Sequence, residues 1–316
     1  MFGGLASLPL FYLAFRLLRQ PNRPSNVPKT QERVLILGAT SGIGRSIARQ
    51  YAERGAKVCI VGRRDALVNE VEAECRNSRG QENDKNGVLG VSGDFASVED
   101  MVRIRELLDT KWGGLDTLIV AAGVSALQPL LAIAGIETQK GTSTLQITSK
   151  EGIQRVSDVS SAAIRGNYTG PIIAAATFIP ILANTSLSPS ILLVSSLASV
   201  IPAPTRSIYG STKSSSLLLY QSLAIEHPSI SFTFVMPSTV EGDFRASAVD
   251  SGPVRESDPN KHGLKKEAVA ARCIQAVDRK EGTVFMPETM RYAHLLYWIW
   301  PSLVNHFAMK KYNYSV

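Results

Sequence analysis

Tyr209 and Lys213 stand four residues apart, the spacing that puts two side chains on one face of a helix. An ammonium beside a phenol favours the phenolate and lowers its pKa from about 10, so such a tyrosine can act as acid or base near neutrality. Ser195 and Ser196 close an apolar run, Ile191–Val194, and Ser196 lies thirteen residues before Tyr209. A Tyr-x-x-x-Lys alone is common by chance; the serine at that distance, the strand before it and a glycine-rich turn far upstream give it weight. That turn is Gly38-Ala39-Thr40-Ser41-Gly42-Ile43-Gly44, directly after Val34–Leu37. Glycines there let the backbone turn tightly and approach a pyrophosphate, whose charge meets the N-terminus of a helix opening near Ile43. An ordinary turn is the competing reading. The next apolar strand ends at Val61-Gly62-Arg63-Arg64. Gly62 cannot hold a ribose 2′-hydroxyl as an acidic residue would, whereas Arg63 and Arg64 offer guanidinium groups to a 2′-phosphate. The alternative is a solvated arginine pair on a loop. The phosphate reading points to NADP(H).

The elements that must carry these residues alternate. Apolar strands within Val34–Gly38, Lys57–Gly62, Val88–Asp94, Asp116–Gly123, Ser190–Ser196 and Ser231–Pro237 are separated by helical periods such as Gly44–Gly55 and Val98–Gly113. Strands apolar on both faces, each followed by a helix, predict a Rossmann-like, doubly wound parallel β-sheet flanked by helices, in the α/β class. One catalytic domain is expected over residues 31–287, with no internal repeat. Two polar stretches, Glu137–Lys150 and Ser251–His262, read as an inserted loop and a mobile loop.

The 316-residue chain carries 34 Lys plus Arg against 27 Asp plus Glu, a net charge of +7. With 19% charged residues and mean hydropathy near zero it is neither disordered nor a polytopic membrane protein. Cys59, Cys75 and Cys273 are too few for a disulfide framework and form no Cys-x-x-Cys pair, which fits a reducing compartment without structural zinc. Cys59 reads as core. His262, His294 and His306 are too scattered to ligate a metal, and His227 reads as a helix C-cap. No metal and no nucleic acid are expected.

Basic residues instead flank two apolar ends. Residues 1–15 are uncharged, and a helix through Leu18 would span about 26 Å, marginal for a bilayer core of roughly 30 Å. Arg16, Arg19, Arg23, Lys29 and Arg33 follow, among Pro21, Pro24 and Pro28. The readings are a short anchor, a cleaved signal peptide and an apolar arm docked on the domain; charge after the apolar run, not before it, argues against a signal peptide. Residues 1–30 are thus expected to be a membrane anchor and basic stem facing an anionic leaflet, which leaves the domain on the cytosolic side. Residues 288–316, with Tyr292, Tyr297, Trp298, Trp300 and Phe307, form an aromatic amphipathic C-terminal helix that lies at a membrane surface, packs on the core or meets a second subunit.

Together these residues resemble the short-chain dehydrogenase/reductase family over roughly Arg33–Pro287. The resemblance implies that Asn167, Ser196, Tyr209 and Lys213 form a catalytic tetrad. In it Tyr209 exchanges the proton, Ser196 holds the substrate oxygen, Lys213 binds the nicotinamide ribose and Asn167 holds a water on the proton path. It places Gly38, Thr40, Ser41, Gly42, Ile43, Gly44, Arg63, Arg64, Asp94, Phe95, Ala122, Gly123, Tyr209, Lys213, Pro237 and Val240 at the cofactor. Departures are Leu37 where the family's glycine motif begins with threonine, and Val120-Ala121 for two asparagines. Ser238 replaces a glycine, and Gly242 stands where a threonine often holds the carboxamide. The first two lie on adjacent strands, so a polar tie is exchanged for apolar packing. Among anchored relatives the chain resembles 11β-hydroxysteroid dehydrogenase-type and 3-ketodihydrosphingosine reductase-type enzymes. The expectation is hydride transfer to or from a lipophilic carbonyl or alcohol, in the reductive direction, at the endoplasmic reticulum, by a homodimer or homotetramer. The alternative is a lapsed enzyme serving as a nucleotide-binding scaffold or sensor at a membrane.

Overall fold

The computed structural model describes residues 23–79, 86–136, 146–246, 248–252 and 259–314. Seven strands run parallel in one sheet: β1 (Arg33–Leu37), β2 (Lys57–Gly62), β3 (Val88–Ser92), β4 (Thr117–Val120), β5 (Ser190–Val194), β6 (Ser231–Pro237) and β7 (Thr283–Met286). Their order is β3-β2-β1-β4-β5-β6-β7, so the winding reverses between β1 and β4. At that point the connections leave in opposite directions and a crevice opens beyond the strand ends.

Alternate strand residues feed the two faces. Leu35 and Leu37 pack with Met101, Ile104, Phe178, Leu182 and Tyr220, from α3 (Val98–Trp112), α5 (Gly170–Thr185) and α6 (Ser207–Glu226). Val34 and Ile36 pack with Ile47, Tyr51, Val71, Val269 and Val277, from α1 (Gly42–Glu53), α2 (Asp65–Arg79) and α7 (Lys266–Asp278). Cys59 is indeed core, as are Cys75 and Cys273. Leu37 and Val120 are cross-strand partners, both fully buried, so the apolar exchange expected there is what the sheet contains.

The N-terminal edge of the sheet corrects one expectation. Arg23 and Arg33 do not face a leaflet. Arg23, 1% exposed, donates to the Ser188 and Asp116 carbonyls at 2.9 and 3.0 Å, to Thr117 Oγ1 at 2.7 Å and to Glu32. Arg33 forks onto both Asp116 carboxylate oxygens at 2.8 and 2.9 Å. Strand-entry carbonyls and two carboxylates make this rim a better seat for guanidinium groups than a membrane surface. Residues 1–22, which hold the expected anchor, lie outside the described residues.

Of the two polar stretches, residues 137–145 and 253–258 also lie outside the description. Lys150 opens α4 (Lys150–Ile164), and Pro259–His262 is a single helical turn. Among the described residues, 150–185 is the one helical stretch long and apolar enough to cross a membrane, yet 56% of its apolar window is buried inside the protein. The C-terminal segment is two helices rather than one, α8 (Met290–Ile299) and α9 (Pro301–Lys311), because Pro301 has no N–H to continue the first. His294 ties α8 to the domain through the Val200 carbonyl at 3.1 Å, while Tyr292, Trp298, Trp300 and Phe307 are exposed.

Candidate active site

The turn after β1 is shaped by close approach. A Cβ at Gly44 would fall on the Gly38 carbonyl oxygen, and Gly38, at φ +87°, passes so near the end of β4 that a Cβ there would lie 2.5 Å from the Ala122 nitrogen. Helix α1 opens at Gly42 behind an extended Ser41 whose side chain makes no cap, which leaves first-turn N–H groups to an anion. Arg63 and Arg64 are exposed at the end of β2, on the wall of the same cavity. A cradle that side chains would fill, an uncapped helix start and two guanidinium groups fit a phosphorylated dinucleotide.

Beyond β3, Asp94 accepts from the Ala96 N–H at 3.0 Å and from Arg165 at 2.6 Å. Burial pushes its carboxyl up, but the Ala96 N–H, Arg165 and the charge of Arg63 together hold it below the ordinary range. Phe95 rests against the start of α5, where a Cβ on Gly170 would strike its ring.

Between α4 and α5 the helix widens into one π turn, Arg165–Thr169. Such turns insert one residue, and here the extra residue swings Asn167 inward. Its Oδ1 accepts from the Val124 N–H at 2.8 Å, and its Nδ2 donates to the Val124 carbonyl at 2.9 Å and to Thr212 Oγ1 at 3.0 Å. Helix α6 carries Tyr209 and Lys213. Lys213 Nζ reaches across to the Val194 carbonyl at 3.0 Å, and burial lowers its pKa to about 8. Ser196 lies two residues beyond β5 and caps the short turn that follows, its Oγ accepting from the Ala198 N–H at 3.2 Å. Phe244 meets the Tyr209 ring edge-on, centroids 6.1 Å apart.

One cavity of about 1310 Å³ along the C-terminal strand ends is lined by Ser196 and all sixteen residues expected at the cofactor, Tyr209, Lys213, Pro237 and Val240 among them. Asn167 differs. It lies buried behind Gly123, whose missing Cβ would sit 2.9 Å from Asn167 Oδ1 and 3.2 Å from Lys213 Nζ. Its amide fastens β4 to the tyrosine helix instead of facing the cavity. Gly242, at φ +103°, takes its N–H partner from Asn260 Oδ1 at 2.9 Å.

The family model for short chain dehydrogenases matches residues 32–251. The chain belongs to that family. Among curated relatives of this short chain dehydrogenase are three 11-beta-hydroxysteroid dehydrogenase-like proteins of Arabidopsis thaliana. Protein 4A is 29% identical over 73% of this chain and 69% of its own length. Protein 2 is 26% identical over 94% and 86%, and protein 3 is 31% identical over 74% and 67%. Two solved structures share the fold. An alcohol dehydrogenase from Thermococcus sibiricus, complexed with 5-hydroxy-NADP, superposes with a TM-score of 0.62 at 21% identity over 81% of this chain and 95% of its own. A short chain dehydrogenase/reductase from Burkholderia phymatum, in complex with NAD, gives 0.70 at 16% over 87% and 96%. The protein is therefore a short-chain oxidoreductase of the NAD(P)-binding kind with a Rossmann-like sheet.

Sequence reasoning missed Arg206 and Phe244, both on the cavity wall. Phe244 sits in a single 3-10 turn, Asp243–Arg245, too short for any periodicity to reveal it. Arg206 left a trace: it occupies the N-cap of the tyrosine helix, where Ser, Thr, Asp or Asn would be expected.

Proposed function

We propose that this short-chain oxidoreductase uses NADP(H) and carries a hydride to a lipophilic carbonyl, or takes it from the matching alcohol, with Asn167, Ser196, Tyr209 and Lys213 as its working residues. The observation that carries the reading is the convergence of Ser196, Tyr209 and Lys213 on the one cavity that also holds the glycine turn and the two arginines. When bound, the nicotinamide supplies the hydride. Ser196 donates a hydrogen bond to the carbonyl oxygen and stabilises the charge that develops there. Tyr209 gives that oxygen its phenolic proton in reduction and takes the hydroxyl proton in oxidation. Lys213 lies one helical turn away, still mostly charged at neutral pH with a pKa of about 8, and favours the phenolate between turnovers. Asn167 keeps the floor of the cavity in register by tying Val124 to Thr212. Arg63 and Arg64 pair with a 2′-phosphate.

A membrane setting follows from the uncharged residues 1–15 and the exposed aromatics of α8 and α9. An anchor ending before Arg23 and an aromatic C-terminal pair would hold the domain on the cytosolic face of the endoplasmic reticulum. Homodimers or homotetramers would form through α4 and α6, where Ile153, Leu218 and Ile225 are exposed. Fluorescence titration with NADPH and NADH, followed by a panel of long-chain ketones, steroids and retinal, tests the reading. Tight NADPH binding, weak NADH binding and reduction of at least one ketone are expected; equal affinities would overturn the NADP(H) assignment, and binding without turnover of any member would favour a scaffold.

A further inference from the structure

Helix α6 begins against the rules. Arg206 is its N-cap, makes no side-chain cap, and places a cation at the positive end of the helix dipole. The residue is also buried, 6% exposed. A local choice that opposes propensity and electrostatics at once persists when something else depends on it.

The surroundings of the guanidinium show what that is. Its Nη1 donates to Ser125 Oγ at 2.9 Å and lies 3.4 Å from the Ala126 carbonyl. Ser125 is fully buried, and its own carbonyl accepts the Val249 N–H at 2.9 Å, so the arginine is held by the segment after β4 and cannot swing out. The guanidinium carbon stands 5.9 Å from the centre of the Tyr209 ring. Arg206 thus sets a cation against the Tyr209 ring, on a helix that also carries Lys213 one turn on.

We propose that Arg206 is a second cationic support for Tyr209, a positioning residue that keeps a permanent charge against the face of the phenol and favours the phenolate. The inference rests on the reading of Tyr209 as the proton-exchanging group. Its distinct consequence concerns pH. Lys213, with a pKa of about 8, discharges in mildly alkaline solution, whereas a guanidinium keeps its charge throughout. Arg206 therefore sustains an acidic phenol where Lys213 no longer can. Other charged groups face the same region. Asp243 and Arg245 flank Phe244 on the cavity wall, and Asp94 is paired with Arg165. The Asp250 carboxylate accepts the Leu127 and Gln128 N–H groups at 2.6 and 2.8 Å.

The test needs no substrate. The ultraviolet phenolate band is titrated in the full-length protein with NADP⁺ present, and subtraction of the Tyr209→Phe spectrum isolates Tyr209. Arg206→Gln should raise the Tyr209 titration by about one pH unit, while Arg206→Lys, which keeps a charge, should stay close to wild type. Ser125→Ala, which removes one of the acceptors that hold the guanidinium without removing the charge, should give a smaller upward shift and stands in if Arg206→Gln does not fold. Coincidence of Arg206→Gln with wild type overturns the inference, as does Arg206→Lys moving as far as Arg206→Gln, or an unshifted Ser125→Ala. A wild-type Tyr209 that titrates no lower than free tyrosine overturns the acid–base reading itself, and so is told apart from failure of the Arg206 role.

Discussion

The two edges of the sheet bury cations in opposite ways. At the N-terminal edge, Arg23 and Glu32, each 1% exposed, form an ion pair that Arg54, Asp278 and Thr117 extend. Every charge there is met by its opposite. At the C-terminal edge Lys213 is 5% exposed, donates to a carbonyl, and has no ion pair among the described residues. A compensated charge can only hold pieces of chain together. An uncompensated one is costly, but its field is left to act on the cavity it lines, and Tyr209 lines the same cavity one helical turn away.

That contrast can be broken from either edge. The largest effect belongs to Tyr209→Phe, expected to lower turnover about a thousandfold or more, roughly 4 kcal/mol, with NADPH affinity unchanged. Steady-state rates beside a binding titration measure both, and an active Tyr209→Phe would remove the phenol from the chemistry. Arg23→Ala acts at the other edge. Taking one of the two arginines from buried Glu32, and the Arg23 donor from the Ser188 and Asp116 carbonyls, should cost about 3–5 kcal/mol in chemical denaturation, while turnover per folded molecule stays within about twofold.

Lys213→Met sharpens the comparison because its two effects have opposite signs. Burial depresses the lysine from 10.5 to about 8, so the unfolded chain holds the proton more tightly than the folded one. Protonation therefore opposes folding below pH 8, and the handicap fades as pH rises toward 10.5. The methionine variant should be more stable than wild type at neutral pH by about 2 kcal/mol, net of the lost Val194 hydrogen bond, and nearly inactive. The gain should shrink at high pH; a lower melting temperature at neutral pH would show that the ammonium is compensated after all. Arg63→Ala has the smallest effect, a loss of about tenfold in NADPH affinity, some 1.4 kcal/mol, with NADH binding unaltered.

The contrast also explains what the sequence disclosed. Apolar strands and the glycine turn were legible because each rests on residues close in sequence: an unbroken apolar run in Val34–Leu37, buried on both faces, and tight approach at Gly38 and Gly44. The shared cavity of Ser196, Tyr209 and Lys213 was legible through a fixed Tyr–Lys spacing and a serine just past a strand, whereas Asn167 came only from the family resemblance. Arg23 was misread because its partners, Asp116 and Ser188, lie 93 and 165 residues away, and no local pattern separates a stem arginine that turns inward from one that meets solvent. Arg206 went unread for a related cause: a buried cation needs long-range acceptors, here Ser125. The break at Pro301 is the reverse case, set by a local rule: a proline lacks the N–H that would continue α8.

The π turn at Arg165–Thr169 sets the phase of the helices on either side of it. One surplus residue lets α4 present its mixed face outward while α5 turns Ala174, Phe178 and Leu182 into the core. Excising that residue would rotate everything downstream by about 100°, carrying the Asn167 amide away from Val124 and the apolar stripe of α5 away from the sheet together. Substitutions can drift through this stretch, but its length cannot: the count of residues between Lys150 and Thr185 is itself a fixed dimension of the cavity floor.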